Sequence, residues 1–329
     1  MVTRYSAEFY SGQQKGSRRS AEQVVPLVLD LIPAPSVADV GCGVGTWLAT
    51  FAANGVKQIR GIDGDYVDRS QLQIPADRFL PYDLAKPIKL DERFDLVLCL
   101  EVAEHLDQAD APTLINSLVH LGPRVLFSAA IPYQGGTRHV NEQWPVYWAK
   151  LFARHGYKPI DYLRRLIWQS DQVEWWYAQN LLLFIDQDVL RSDKRLLKEY
   201  REEPPLSLVH PKHYQQVVLT SRLPREVASI VSERTSFILV DDNRFGPDPV
   251  PARRALPFLE RDGRPWGKPL DDATAIRELE RMRTAGADAV VFAWPSFWWL
   301  NYYSEFQRYL RSRFPCVREN DCIIAFDLS

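Results

Sequence analysis

Apolar residues in the first half of the chain fall into short runs that alternate with amphipathic segments. The runs that predict strands lie at 37–40, 59–63, 94–100 and 124–131. The segments that predict helices lie at 19–32, 46–54, 101–106, 111–121 and 144–155. The later stretches YKPIDYLRRLIW and NLLLFID predict two more strands. Alternation of this kind predicts an α/β fold with a mostly parallel sheet and helices on both faces.

A second α/β pattern follows a break in the hydrophobic pattern. Residues 187–225 are rich in charge and proline, which predicts a helix followed by a connector. After them the segments TSFILVDD, ADAVVFAW and CIIAFDL predict strands, and DDATAIRELERMRTAG and WWLNYYSEFQRYLRSRF predict helices. We therefore expect one domain over residues 1–222, with an N-terminal arm and a helical connector, and a smaller α/β domain over residues 223–329.

Composition narrows the class of protein. The 329 residues are 46% hydrophobic and 25% charged, with a net charge of -2, so a general binder of nucleic-acid backbones is not expected. No apolar stretch is long enough to span a bilayer, and the N-terminus lacks the apolar core of a secretory signal. The four cysteines show no metal-type spacing. We expect a cytoplasmic protein with reduced thiols, whose oligomeric state the sequence leaves open.

The sharpest motif is the segment VADVGCGVGTWL at 37–48, which reads D-x-G-x-G-x-G between a predicted strand and a predicted helix. Glycines suit a tight turn in which a ligand approaches the backbone, and the helix that begins near Thr46 offers free N–H groups to an anion. Asp63 ends the next strand, where a carboxylate can accept hydrogen bonds from both hydroxyls of a ribose. The glycines at 41, 43 and 45 do not have the G-x-G-x-x-G spacing of nicotinamide and flavin enzymes.

Four segments together resemble class I S-adenosylmethionine-dependent methyltransferases over residues 1–186: the glycine loop, the strand ending at Asp63, the segment PYDL and the segment FDLVLCLEVAEHL. The resemblance implies S-adenosylmethionine as cofactor. It implies that the residues around its methionine moiety are Asp39, Gly41, Gly43 and Trp47. It further implies that Asp63 and Gly64 hold the ribose, that Asp83 and Leu84 flank adenine, and that Leu100 lies beneath the methyl donor. The N-terminal arm either folds over the cofactor or frays.

A group of acids and histidines follows the fourth predicted strand. Glu101, Glu104 and His105 share one face if their segment is helical, and His139 follows the fifth strand on a glycine-flanked loop. Two carboxylates and two imidazoles at the ligand edge of the sheet can surround one divalent cation. His139 is also the preferred general base for an acceptor hydroxyl. Glu142 is then the residue that orients it, and His105 is an alternative catalytic residue.

The E-x-x-E-H arrangement resembles that of ubiquinone-pathway O-methyltransferases and of small-RNA 2′-O-methyltransferases, in which it binds a metal. The latter group also carries a histidine after the fifth strand, where His139 stands here. Many metal-free methyltransferases share the arrangement, with the glutamate near the cofactor and the histidine hydrogen-bonded locally. The requirement for a divalent cation therefore stays open at this point.

The segments FSAAIPYQGGTRHVNEQWPVYW and WYAQNLLLFI resemble methyltransferases associated with bacterial cell-surface polysaccharides and glycans. This resemblance implies a sugar or glycan hydroxyl as the acceptor. The alternatives are a metal-dependent RNA 2′-O-methyltransferase, a small-molecule N- or C-methyltransferase, and a non-catalytic scaffold. The near-neutral charge weighs against the first alternative, and the complete set of cofactor positions weighs against the last.

Overall fold

The apolar runs of the first half form a seven-stranded sheet in the computed structural model, which describes residues 7–246, 248–262 and 264–329 and side chains from Lys15 onward. The strands are β1 (Ser36–Val40), β2 (Gln58–Asp63), β3 (Phe79–Pro81), β4 (Leu96–Leu100), β5 (Arg124–Ser128), β6 (Tyr157–Ile160) and β7 (Leu182–Asp186). Their order is β3-β2-β1-β4-β5-β7-β6, and only β7 among them runs antiparallel to its neighbours. The carboxyl ends of β1 to β5 therefore meet at one edge.

Helices cover both faces of this sheet. They are α1 (Ala7–Leu31), α2 (Thr46–Ala53), α3 (Ala111–Leu121), α4 (Pro145–Ala153), α5 (Leu163–Ile167), α6 (Trp175–Asn180), α7 (Gln187–Ser192) and α8 (Lys194–Glu199). The next helix along the chain is α9 (Pro211–Ala228), and its buried residues Leu219, Leu223 and Val227 pack with strands of the second unit. Strand β4 shows how the core forms, because all five of its residues are buried. Leu96 and Leu98 pack in the apolar cluster that includes α1 and α2, and Val97 and Cys99 pack in the cluster that includes α3 and α4. The predicted fold class is confirmed.

Two segments differ from the predicted elements. Residues 101–106 do not form a helix: the backbone of Glu101 is left-handed, with φ 53°, and only Ala103–His105 form a single 3-10 turn. The Glu101 N–H instead bonds the Ser128 carbonyl oxygen at 3.0 Å, which holds it to the end of β5. After β6 the chain turns into α5 instead of continuing as a strand. There the buried Arg164 bonds Asp161 and the carbonyl oxygens of residues 179, 205 and 206.

The second unit has its own sheet and core. Its five-stranded sheet has the order β13-β14-β12-β8-β9, in which β8, β9 and β12 are parallel. The strands are β8 (Ser236–Val240), β9 (Arg254–Pro257), β12 (Ala287–Ala293), β13 (Cys316–Glu319) and β14 (Ile323–Asp327), and a hairpin adds β10 (Glu260–Arg261) and β11 (Arg264–Pro265). The helices are α10 (Asp272–Thr284), α11 (Trp298–Tyr302) and α12 (Ser304–Arg313). Asp271 begins α10 as predicted, since its carboxylate accepts a hydrogen bond from the Thr274 N–H at 2.7 Å.

The two compact units divide between Tyr214 and Gln215, within α9, while the predicted boundary follows residue 222. All four cysteines are free thiols. Among the described residues, no helix combines the length and the apolarity needed to cross a membrane.

Candidate active site

The glycine loop between β1 and α2 depends on backbone conformations that glycine adopts readily. Gly41, Gly43 and Gly45 have φ values of 84°, 54° and 84°. A Cβ at position 41 would collide with the side chain of Val102, whereas a Cβ at position 43 would meet no atom within 4 Å. The loop thus packs against Val102 at Gly41 and faces open space at Gly43. Open space beside the backbone is what a ligand needs in order to approach it closely.

Asp63, at the end of β2, faces this loop. Its carboxylate accepts hydrogen bonds from the N–H groups of Gly43 at 2.7 Å and of Gly64 at 2.6 Å. The hydroxyl of Tyr66 donates a third hydrogen bond at 2.6 Å. Only 4% of Asp63 is exposed. The residues expected at the methionine and ribose positions, Gly43, Asp63 and Gly64, therefore meet at one point.

Asp39, on β1, is a buried carboxyl group beneath the glycine loop, with 3% of its surface exposed. Burial, and then the negative charge of Asp63, raises the pKa of Asp39 to about 7. A buried acid of this kind is well placed to receive a cationic group, which would stabilise its ionised form.

The other expected cofactor residues surround the same edge. Trp47 is buried on α2, and its indole N–H donates to the Ser17 hydroxyl at 3.1 Å. Leu84 and Leu100 are buried as well. Asp83 is exposed after β3 and forms an ion pair with Lys86 at 3.1 Å, which lowers the pKa of its carboxyl group. The contact with Ser17 ties α1 to the site, but residues 1–6 and the side chains of residues 7–14 of the expected arm lie outside the described residues.

Glu101 is held by side-chain amides. Gln134 donates to one of its carboxylate oxygens at 3.0 Å, and Asn180 donates to the other at 3.1 Å. Burial raises the pKa of Glu101, although the hydrogen bonds with Asn180, Ser128 and Gln134 oppose this effect. Both carboxylate oxygens of Glu101 therefore accept hydrogen bonds from amides, and Glu101 is not one of the residues with metal-ligand spacing.

Glu104, His105 and His139 form the group of residues with metal-ligand spacing. Their potential ligand atoms all lie within 4.8 Å of one another, and the two imidazole rings meet edge to face with centroids 4.9 Å apart. Glu104 is fully buried, and neither of its carboxyl oxygens has a hydrogen-bond partner within the part of the chain that the structure describes. Burial, followed by the charge of Glu101, raises the pKa of Glu104 well above its usual value. Such a carboxyl group lacks the compensation that buried polar groups normally have.

His139 lies on the loop after β5 and is oriented by Glu142. The His139 Nδ1 atom lies 3.0 Å from a carboxylate oxygen of Glu142. The same carboxylate accepts hydrogen bonds from the N–H groups of Tyr133 and Gly135, both at 2.8 Å. Burial alone would raise the pKa of Glu142, but these hydrogen bonds outweigh it and lower the pKa. The predicted catalytic residues His139, Glu142 and His105 thus meet, with Nε2 of His139 as the ring atom that Glu142 leaves available.

Three features of the site have no counterpart in the sequence predictions: the amides of Gln134 and Asn180 around Glu101, the Tyr66 hydroxyl on Asp63, and the Ser17 contact with Trp47. No local sequence pattern identifies these amide side chains, because their hydrogen-bond partners are distant along the chain. The only available signal was the occurrence of two adjacent amides, Gln179 and Asn180, just before an apolar strand.

Comparison with known families supports the interpretation of this site. Residues 13–171, just under half of the chain, match the sequence model of a family described as methyltransferase domain. No curated protein sequence matches the chain significantly.

Solved structures of low sequence identity are similar to part of the chain. The magnesium protoporphyrin IX methyltransferase ChlM from Synechocystis PCC 6803, with bound SAH, is 20% identical; the match covers 56% of this chain and 90% of that chain, with a TM-score of 0.41. The sugar N-methyltransferase KedS8 from Streptoalloteichus sp ATCC 53650 is 16% identical, with coverages of 56% and 96% and a TM-score of 0.43. The methyltransferase domain of bacterial CtHen1-C is 18% identical, with coverages of 51% and 97% and a TM-score of 0.39. These likenesses say nothing about the acceptor of this chain.

The glycine loop, the acid at the end of β2, the order of the strands and the family match agree with one another. The first unit has the fold of class I methyltransferases, and residues 13–171 match a methyltransferase domain. The chain therefore carries an enzyme activity of class EC 2.1.1, the methyltransferases.

Proposed function

We propose that the enzyme methylates a hydroxyl group of a sugar or glycan. The observation that carries this proposal is the His139–Glu142 pair on the loop after β5, beside Glu104 and His105. Exposed aromatic residues lie on the same loop and at its end: Tyr133 is 82% exposed and Trp144 is 39% exposed. Flat rings with one apolar face and a polar edge suit a sugar ring, which has the same two kinds of surface.

A hydroxyl acceptor needs help to become a nucleophile. An alcohol is about as weak an acid as water, with a pKa of about 15.7, while histidine has a pKa of about 6.5. Full proton transfer to a histidine would therefore cost roughly 12 kcal/mol, at about 1.36 kcal/mol per pKa unit. Either a base removes the proton while the methyl group moves, or a bound cation stabilises the alkoxide.

The residues present fit a divalent cation. Glu104 is a buried carboxyl group without a described partner, and His105 and His139 bring two imidazoles within ligand spacing of it. Three protein ligands leave coordination positions for the acceptor, as in catalytic sites. Such an ion would lower the pKa of a bound hydroxyl. Glu142 then keeps Nδ1 of His139 engaged, so that Nε2 is the ligating atom.

We propose S-adenosylmethionine as the cofactor. It carries its methyl group on an already activated sulfonium, so the protein must mainly bind, align and exclude water. We assign Asp63 and Gly64 to the ribose hydroxyls, Asp83 and Leu84 to adenine, and Leu100 to the floor beneath the methyl donor. Gly41, Gly43 and Trp47 surround the methionine moiety, and Asp39 receives its ammonium group. The open space at Gly43 and the buried acid Asp39 support these assignments.

The affinity for S-adenosylmethionine should rise with pH through the titration of Asp39. Because burial and the charge of Asp63 raise the pKa of Asp39 to about 7, the group is mostly protonated at pH 6 and mostly ionised at pH 8. The ammonium group of the ligand binds the ionised form. We therefore expect calorimetry to show about tenfold tighter binding at pH 8 than at pH 6. Asp39→Asn should bind more weakly and without this dependence, and a flat profile in the wild type would refute the assignment.

His139→Ala should abolish methyl transfer while leaving S-adenosylmethionine affinity nearly unchanged, since His139 acts on the acceptor. A base or a metal ligand at this position contributes about 10²–10⁴-fold to the rate. Chelation should silence the wild type, and magnesium, manganese or zinc should restore it. His120→Ala is the matched control, because His120 bonds only its own helix, at the Asn116 carbonyl oxygen. Full activity of His139→Ala, or indifference of the wild type to chelators, would contradict the metal-assisted reaction.

The acceptor class can be tested directly with S-adenosylmethionine that carries a tritiated methyl group. Mannose-, rhamnose- and galactose-containing oligosaccharides should become labelled in a base-stable ether linkage. A single-stranded RNA with free 2′-hydroxyl groups is the competing substrate, since the same metal chemistry would serve it. Label in the RNA and not in the oligosaccharides would assign the enzyme to RNA 2′-O-methylation instead.

A further inference from the structure

A chain of buried and half-buried polar side chains runs from Glu101 to the first turn of α9. It passes through Gln134 and Asn180, which bind Glu101, to Gln179, whose amide nitrogen donates to the oxygens of Gln134 and Asn180, both at 3.1 Å. The Gln179 oxygen then accepts a hydrogen bond from the backbone N–H of His210 at 2.8 Å. Since a backbone N–H can only donate, this contact fixes which end of the Gln179 amide faces α9.

His213 is the last member of this chain. Its Nδ1 lies 3.1 Å from the Gln179 oxygen, and its Nε2 lies 3.0 Å from the carbonyl oxygen of Tyr133. Both partners are acceptors, so a ring nitrogen bonds its partner only when it carries a hydrogen. The ring is 2% exposed and stacks on Trp175, with centroids 5.2 Å apart and an angle of 19° between the planes.

Tyr133 connects His213 to the acceptor loop. The carbonyl oxygen of Tyr133 faces His213, and its N–H donates to Glu142, which in turn holds His139. We infer that His213, oriented by Gln179, is a positioning residue that fixes the loop of residues 133–142 and thereby places His139 for methyl transfer. This inference rests on the role of His139 in the proposed function. His213 thereby has a role in the site, although the sequence predicted only a helix and a connector over residues 187–225.

The test compares two buried histidines at the start of α9. His213→Phe keeps the ring on Trp175 but removes both ring nitrogens. His210→Phe is the matched control, because it keeps the backbone N–H that bonds Gln179. The His210 ring is also buried, and its contacts with Trp168, the Trp168 carbonyl oxygen and the Lys212 N–H all lie outside the loop. We expect His213→Phe to lower kcat about 10–100-fold, with S-adenosylmethionine affinity within about twofold of the wild type, because small displacements of a reacting group are costly. His210→Phe should keep the wild-type kcat.

Hydrogen exchange of the S-adenosylhomocysteine complex gives a second readout that needs neither acceptor nor metal. The amides of residues 133–142 should exchange about tenfold faster in His213→Phe than in His210→Phe, because the loop loses an anchor. Equal exchange in both variants would overturn the inference. If the wild type methylates no sugar, the proposed function fails, while the exchange result still decides the role of His213.

One further measurement keeps the inference testable should His213→Phe not fold. In the wild type, nitrogen-15 spectra should show hydrogen on Nε2 of His213, the atom that faces Tyr133. A bare Nε2 would overturn the inference without any substitution.

Discussion

Asp63→Ala is expected to weaken S-adenosylmethionine binding by roughly 10²–10⁴-fold. The carboxylate is assigned to both ribose hydroxyls, and hydrogen bonds to a charged group contribute about 1.5–3 kcal/mol each. The same carboxylate organises the glycine loop through the Gly43 N–H. Calorimetry with S-adenosylmethionine measures the loss, and circular dichroism checks that the sheet is intact.

Asp65→Ala is the matched control for this experiment, because Asp65 lies two residues away, is exposed and pairs only with Arg69 at 2.6 Å in the described structure. It should bind the cofactor as the wild type does. Affinity of Asp63→Ala within about threefold of the wild type would refute the ribose assignment, since that is less than one ordinary hydrogen bond.

The hydrogen bond from the Tyr66 hydroxyl to Asp63 competes with a bound ribose. A carboxylate has about four acceptor positions, and Gly43, Gly64 and Tyr66 use three of them. Two ribose hydroxyls need two positions, so one of the three donors must leave when the ribose binds. We expect the Tyr66 hydroxyl to leave, because Tyr66 is 82% exposed and its side chain can turn away while the two backbone N–H groups stay. Tyr66→Phe removes this competition and should bind S-adenosylmethionine at least as tightly as the wild type. A loss of affinity in Tyr66→Phe would show that the hydroxyl contacts the ligand instead.

The sequence was sufficient to predict the central strands of the first sheet, because they are buried on both faces, but not the three-residue edge strand β3. β1 and β4 consist entirely of buried residues: β4 is an uninterrupted apolar run, and β1 departs from one only at Ser36 and Asp39. The glycine loop was predictable for a related reason: the turn between β1 and α2 needs left-handed backbone at three positions, and glycine adopts it with little strain.

Edge elements were harder to predict. Strand β13 was missed because three of its four residues are exposed, so no apolar run or alternation identifies it. The helix predicted over WWLNYYSEFQRYLRSRF is interrupted at Tyr303, whose ring is buried and whose hydroxyl donates to the Pro269 carbonyl oxygen at 2.8 Å. Long-range packing of this kind overrides a helical pattern that is continuous in the sequence.

The prediction that Glu101, Glu104 and His105 share one helical face is wrong. The pattern of Glu101, Glu104 and His105 predicts one helical face, but the backbone at Glu101 is left-handed, and only Glu104 and His105 of the three belong to the group with metal-ligand spacing. The three residues that do meet, Glu104, His105 and His139, were all named as metal ligands from the sequence. Their exact grouping depends on hydrogen bonds with Gln134 and Asn180, residues far from Glu101 along the chain, which no local pattern reveals.

Glu104→Met is expected to stabilise the metal-free protein and to abolish methyl transfer. In the wild type the carboxyl group is fully buried and both oxygens lack described partners, so its burial costs about 1–3 kcal/mol. Methionine fills a similar volume without that cost, and the melting temperature should rise by about 2–6 °C. Manganese should raise the melting temperature of the wild type but not that of Glu104→Met, because a ligand stabilises only the folded state that binds it.

Glu101→Met is the matched control with the opposite sign. The Glu101 carboxylate accepts hydrogen bonds from Gln134 and Asn180, so its removal leaves two amide donors unsatisfied and should lower the melting temperature. Calorimetric melting of both variants, with and without manganese, separates the two roles. If Glu104→Met melts below the wild type and still transfers methyl groups at the wild-type rate, Glu104 is a structural residue. The acceptor hydroxyl must then be activated by His139 and Glu142 without a carboxylate ligand at position 104, since these two residues lie 3.0 Å apart in a contact that does not involve Glu104.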